Sequence, residues 1–342
     1  MTDHTFGLDT FGDLSSAADG TPHSQADAIR SVVEQGILAD RLGVDHFSIG
    51  EHHTDLMPMP AGDLVLGGIA TRTERITLGS AVTVLSSDDP IRVFQRYSTL
   101  NAISGGRAEV TLGRGSSTES FPLFGYDLAD YERLFDEKLD LFATVMRGGP
   151  VTWEGSVRPP LRDQEVVPAL DAPLPVWVGV GGNPNSVIRA ARHGFNLRLA
   201  IIGGPPQRFE PLARLYGEAM RALGHDIAPI GIHSPGHVAE TDEQAIDEFW
   251  PHYLDMITAM SKVRGFGIPT KDDFLHEMGP RGSMYVGSPE TVATKIAQTI
   301  QVLGASRFDL KYAMGRLSED KLRRNIELYA TEVIPRVRAQ LS

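Results

Sequence analysis

The sequence predicts an α/β chain folded as a (β/α)8 barrel with a helical insertion toward its C-terminal part, and three observations carry that expectation. Short β-branched, apolar runs alternate with longer segments of helical periodicity along the chain, the pattern of βα units around a parallel sheet. The clearest run, residues 77–85, is almost continuously apolar or β-branched, as a strand covered on both faces should be. At 342 residues the chain is within the range of single barrels. No repeat, low-complexity tract or linker divides it, so residues 1–342 are expected to form one domain. An open doubly wound sheet shares the alternation, but such sheets usually begin with a Gly-rich strand-to-helix turn, and none follows residues 6–10.

The elements follow in order. Residues 6–10 open as a strand, and Ile29, Val32, Val33 and Ile37 give helical spacing that ends at Gly43. Residues 46–50 form the second strand and 61–73 a helix rich in small apolar residues. After strand three at 77–85, Pro90 starts a helix where its fixed φ helps and its missing N–H is harmless; the Gly105-Gly106 pair ends it. Residues 108–112 are strand four, and Tyr131, Leu134, Phe135, Leu139, Phe142 and Val145 line one face of the next helix. The Pro- and Gly-rich stretch 148–175 reads as an extended loop. Strand five at 175–180, its helix at 185–193, and elements at 196–202, 206–223 and 230–238 continue the alternation. A helical insertion, roughly 242–263, interrupts it before the helix start at Gly287-Ser288-Pro289-Glu290. Residues 308–311 are the last strand, and Leu322, Ile326, Tyr329 and Val333 mark the closing helix.

Composition narrows the function. Apolar residues make up 41% and charged residues 22%, with a formal net charge of −12. Such a balance argues against nucleic acid or an anionic membrane surface as partner, since both need basic patches. Cysteine is absent, which excludes disulfides, thiolate metal sites and cysteine nucleophiles. The start Met1-Thr2-Asp3-His4 has no signal-peptide pattern, and no apolar run reaches the length of a membrane span. A cytoplasmic location is expected.

Reactive groups in such a barrel sit at the carboxyl ends of the strands, and three segments combine that place with unusual residues. Glu51-His52-His53, after strand two, brings two imidazoles and a carboxylate that could serve as acid and base near neutral pH; histidines bonded to neighbouring backbone are the plainer alternative. No metal site is expected, because adjacent histidines on a loop point apart and no third ligand has a supporting spacing. Gly113-Arg114-Gly115-Ser116-Ser117, after strand four, suits a phosphate or other planar anion, with an ordinary loop ion pair as the alternative. Gly181-Gly182-Asn183-Pro184-Asn185-Ser186, where strand five enters a helix, offers free N–H groups at a helix start. It lacks the dinucleotide fingerprint spacing, and Gly-Asn-Pro is also a common cap composition. Together with Arg114 it makes a phosphate clamp from two neighbouring loops. Phe121, Phe124 and Tyr126 either wall off the site or plug their loop onto the barrel.

Taken together, Gly50-Glu51-His52-His53, the strand Leu78-Gly79-Ser80-Ala81-Val82-Thr83-Val84, Gly105-Gly106-Arg107, Leu112-Gly113-Arg114-Gly115, Phe124-Gly125, Pro175-Val176-Trp177-Val178 and Val286-Gly287-Ser288-Pro289-Glu290 resemble the bacterial luciferase-like flavin-dependent oxidoreductases, in an uncharacterised branch. The likeness runs the length of the chain in order. It implies a TIM barrel that binds reduced FMN, or in some branches a deazaflavin coenzyme, at the carboxyl ends of the strands. His52 matches the imidazole that luciferases use near the flavin, and Arg114 the arginine on the FMN phosphate. Gly182 and Asn185 fall where luciferases carry Ser and Thr, and Gly181 where they carry Glu, so backbone N–H groups would serve, with side-chain donors from Asn183 or Ser186. A non-proline cis peptide beneath the isoalloxazine ring would map to Ala81-Val82.

The function this resemblance implies first is a two-component monooxygenase using FMNH2 from a separate flavin reductase, with O2, on a small organic substrate. Deazaflavin-dependent hydride transfer and flavin binding without turnover are the alternatives, and a metal-dependent hydrolase would rest on Glu51-His52-His53 alone. Dimerisation as a homodimer through the helices beside strands two to four is implied too. The loops expected to choose the substrate, around 158–173, 234–236 and 266–281, carry no readable chemical preference.

Overall fold

The structure is a computed structural model that describes residues 4–115, 118–265 and 267–342. Met1, Thr2 and Asp3 of the polar start, the hydroxyls Ser116 and Ser117 beside Arg114, and Phe266 lie outside the described residues. Eight parallel strands form the barrel: β1 (Thr5–Thr10), β2 (His46–Ile49), β3 (Thr77–Ser80, resumed at Thr83–Val84), β4 (Val110–Gly113), β5 (Val176–Val180), β6 (Asn196–Ala200), β7 (Ile230–Val238) and β8 (Arg307–Lys311). β8 pairs with both β7 and β1, β1 with β2, β2 with the first half of β3, and the second half of β3 with β4. The ring therefore closes across the interruption in strand three, where the sequence predicts one unbroken strand.

The strands alternate in an informative way. Phe6 and Leu8 of β1, Leu197 and Leu199 of β6, and Phe308 and Leu310 of β8 are fully buried against the outer helices, each burial stabilising by roughly 1.5–3 kcal/mol. Their neighbours Asp9, Arg198, Arg307 and Asp309 point the other way and are as deeply buried. The lumen of this barrel is thus filled by charges, and glycines make room for them. A Cβ at Gly7 would stand 1.9 Å from an Asp309 carboxylate oxygen, and one at Gly79 2.7 Å from Cγ of Glu109.

Helices on the outside are set by their ends. α1 (Gln25–Leu42) starts in a Ser24–Asp27 capping box and stops at Gly43, whose φ of 81° is left-handed. α2 (Gly62–Ala70) follows, and α3 (Pro90–Ile103) has Pro90 in its first turn with Asp89 capping Ile91 and Arg92. α4 (Tyr131–Val145), α5 (Pro184–Arg192) and α6 (Glu210–Ala222) cover the next strands. The insertion comprises α7 (Asp242–Arg264) and α8 (Lys271–Met278), pinned by a His237–Glu248 hydrogen bond of 2.9 Å and by Phe249, Tyr253 and Phe274 packed ring on ring. A short strand, Tyr285–Gly287, pairs beside the end of β7. α9 (Pro289–Leu303) and α10 (Glu319–Leu328) complete the cover.

Two expectations are corrected. The stretch 148–175 is not all loop: Val151–Trp153 and Leu161–Gln164 pair antiparallel. Residues 234–236 are not a loop but the wholly buried middle of β7. No helix among the described residues is long and apolar enough to cross a membrane.

Candidate active site

A cavity of about 350 Å³ opens at the carboxyl ends of the strands, a size suited to a small-molecule ligand. Glu51, His52, His53, Ala81, Val82, Arg114, Gly181 and Asn183 all line it. Gly182, Asn185 and Ser186 do not: Ser186 is buried behind the turn, 3.5 Å from Nη1 of Arg189.

At one end stand the histidines. They belong to a short hairpin, His52–Thr54 against Met57–Met59, not to a loop. Alternation along that strand sends the rings to opposite faces. His52 is buried against Phe11, ring centroids 4.8 Å apart, and its Nδ1 lies 3.1 Å from Oε1 of Glu119. Burial pushes the Glu119 carboxyl up, but the His52 hydrogen bond and nearby backbone donors outweigh it and hold the group down at about 2. His53 meets Oε1 of Glu51 at 2.9 Å and the edge of Phe124 at 5.2 Å. The second oxygen of Glu51 accepts the Val84 N–H at 2.9 Å while its own N–H donates to the Val82 carbonyl. Glu51 therefore brackets the interruption in strand three.

The Ala81–Val82 peptide bond is cis, at the place the resemblance implies. Val82 packs into the cavity floor where strands four and five have no side chain: a Cβ at Gly113 would lie 2.5 Å from a Val82 methyl, and one at Gly179 2.8 Å. This leaves a flat, apolar floor.

Arg114 occupies the other end. Its guanidinium pairs with Glu132 and lies 5.1 Å over the Tyr131 ring, whose hydroxyl donates to the Gly115 carbonyl. Glu132 also reaches Arg189 at 2.6 Å, and Arg189 pairs with Asp136 as well. The Arg114 guanidinium is thus held in an ion pair whose carboxylate, Glu132, is half exposed and shared with Arg189. Asn183 caps α5, its side chain accepting the Asn185 N–H at 2.9 Å and its carbonyl the Ser186 N–H. Two of the amides expected to face a phosphate are therefore already satisfied within the turn.

Sequence reasoning missed Phe11, Glu119, Tyr131, Arg198 and His233, all in the cavity wall. Arg198 and His233 sit inside elements the sequence predicts, at 196–202 and 230–238, but no local signal marks either of them or Glu119. Arg198 donates to the Ser80 carbonyl at 3.2 Å, just before the cis bond, and to Thr111 at 3.1 Å, and pairs with Asp309 at 2.7 Å. Of the aromatic trio, Phe121 is the plug, buried and stacked on Tyr131. Phe124 covers His53, and Tyr126 lies on Lys138. Among the described residues no cluster of three His, Asp or Glu side chains could hold a metal ion.

The residues present fit a flavin: a guanidinium for a phosphate at one end, a glycine-lined apolar floor for a flat ring, and an imidazole at the other end. The family model for luciferase-like monooxygenases matches residues 11–307. The chain is 27% identical to limonene 1,2-monooxygenase of Rhodococcus erythropolis, over 97% of this chain and 89% of that protein. In fold it is similar to the oxygenating constituent of 3,6-diketocamphane monooxygenase from Pseudomonas putida, solved with FMN (18% identical, TM-score 0.74, 97% of this chain and 98% of that one). It is equally similar to an F420-dependent secondary alcohol dehydrogenase solved with an F420-acetone adduct (19% identical, TM-score 0.74, covering 98% and 99%).

Proposed function

The chain belongs to the luciferase-like monooxygenase family, and from that premise we propose that it is the oxygenating member of a two-component monooxygenase. It takes reduced FMN from a separate flavin reductase, works in the cytoplasm as a homodimer, with residues 1–342 as one domain, and oxidises a small organic substrate. The observation that carries this reading is one cavity that joins Arg114, the floor at Ala81–Val82 and His52.

Arg114, with Gly181 and Asn183, holds the FMN phosphate in place of Glu132, since two guanidiniums already converge there on a carboxylate. Gly182, Asn185 and Ser186 shape the turn from behind. Reduced FMN, when bound, supplies the electrons by which one atom of O2 enters the substrate and the other leaves as water. The protein supplies orientation, exclusion of water and protons. His52 offers Nε2 to a reacting group while Glu119 fixes the ring through Nδ1. Glu51 and His53 hold the hairpin that carries His52. The test is direct titration: the protein binds FMN or FMNH2 with micromolar or tighter affinity, and no detectable binding of either contradicts the reading.

A second reading, hydride transfer with a deazaflavin, is supported by the fold likeness to the F420-dependent alcohol dehydrogenase. Parallel titrations with FMN and the deazaflavin separate the two. Flavin binding without turnover is the outcome if His52→Ala leaves FMNH2 oxidation on the protein unchanged.

A further inference from the structure

We propose that His233, held by Asp9, is a second proton-transfer group of this site, placed at its deep end; the proposal rests on the cavity being the site of reaction. His233 is on β7 and Asp9 on β1, two residues before the cavity residue Phe11. Nδ1 of His233 lies 2.5 Å from Oδ2 of Asp9, which is fully buried. Nε2 makes no hydrogen bond to any described residue, and the ring lines the cavity. With Asp9 accepting from Nδ1, Nε2 presents a lone pair to whatever the cavity holds. His52 and His233 both pack on Phe11, at 4.8 and 5.8 Å, so one phenyl ring positions two carboxylate-held imidazoles.

Other charged groups stand close to the pair. Three carboxylates, Asp9, Asp309 and Glu109, face two guanidiniums, Arg198 and Arg307. His46 lies 3.9 Å from Glu109, and burial and then Arg307 push its pKa well down. Lys311 faces the group from β8, 4.6 Å over the Phe11 ring, but is paired with Asp13 at 3.0 Å. The other charged or titratable neighbours of the His233–Asp9 pair are Arg198 (β6), Asp309 (β8) and His52 (beyond Phe11). In the step, Nε2 takes a proton from an O–H or N–H of the bound molecule. The bonding electrons stay on that oxygen or nitrogen, and the proton returns to the product. Nothing is oxidised or reduced at the imidazole.

The experiment uses the full chain labelled with nitrogen-15 and imidazole NMR, with His233 assigned by H233Q. The proposal expects the Nδ1–H form of His233 in the ligand-free protein near neutral pH, a change of form in D9N, and movement of the Nε2 signal when FMN is added. An Nε2–H form in the wild type, or one unaltered in D9N, overturns it. Stopped-flow oxidation of FMNH2 across pH gives the second readout: H233Q loses one ionisation from the profile and slows by about 10²–10⁴-fold, while D9N displaces that ionisation. A profile unchanged in H233Q overturns the proposal. If the wild type binds no FMN, the functional reading fails, and the tautomer still decides whether Asp9 holds His233 with Nε2 toward the cavity.

Discussion

The lumen of the barrel and its mouth are built from the same residue types, arginines against carboxylates and histidines against carboxylates, yet they do different things. In the lumen, Arg307 holds Glu109 and Asp309 at 2.7 Å each, Glu109 also accepts the Trp177 indole N–H at 3.0 Å, and all are buried. Burial and these neighbours oppose each other: desolvation pushes the Asp309 carboxyl up, but Arg198 and Arg307 outweigh it and hold its pKa down. At the mouth, each pair keeps one side toward the cavity. Arg114 shares Glu132 with Arg189, and His52 shares only Nδ1 with Glu119. Lumen pairs such as Arg307–Glu109 are sealed from solvent and tie β8 to the residue that leads into β4; a pair open on one side can exchange its partner for a ligand.

That contrast can be broken experimentally, starting where the effect is largest. Glu109→Ala takes one of two carboxylate partners from Arg307 and leaves the buried Trp177 indole N–H without its acceptor, and is expected to destabilise the fold by about 3–5 kcal/mol in urea unfolding; a change under ~0.5 kcal/mol would show the lumen network to be dispensable. Arg114→Ala works the other way. FMN affinity falls about 10- to 100-fold, while unfolding free energy moves by less than ~0.5 kcal/mol, because the Glu132 pair is solvent-screened. Gly113→Ala puts a Cβ against Val82 and costs about 1–3 kcal/mol of stability through overpacking, with the cavity floor disturbed.

Glu132→Gln sharpens the comparison more gently. Removing the carboxylate that competes for Arg114 is expected to tighten FMN binding by about twofold to fivefold, read by isothermal titration. The smallest effect is a pH dependence. Glu119, with an ordinary value of 4.5, is held near 2 in the folded protein, so its contribution is complete above its ordinary range and fades as pH falls toward 2. Wild-type stability should therefore fall more steeply with acidification than that of Glu119→Gln.

Much of the fold is legible in the sequence because helix ends are local: Ser24, Asn183 and Ser288 each cap the helix that follows them, and Pro90 opens the first turn of its own. The lumen is not legible. Arg307-Phe308-Asp309-Leu310-Lys311 reads as a strand with one wet face, and only the closed ring buries its charged face against Glu109 and Arg198, far away in the chain. The same holds at the site. Arg114 and His52 stand out through glycine and histidine context, whereas Glu119 and His233 gain meaning only from Asp9, His52 and Phe11 brought beside them. Asn185 and Ser186 are hard to read because a cap and an anion site share one composition, and here the cap uses both of their amides.

The central claim is that the mouth cavity holds a flavin with its phosphate on Arg114. Titrating the wild-type protein and Arg114→Ala with FMN and with riboflavin, which lacks the phosphate, tests it most directly. The expected result is micromolar or tighter FMN binding in the wild type, much weaker riboflavin binding, and loss of that preference in the variant. Equal affinity of the wild type for both ligands, or no binding of FMN in either redox state, would contradict it.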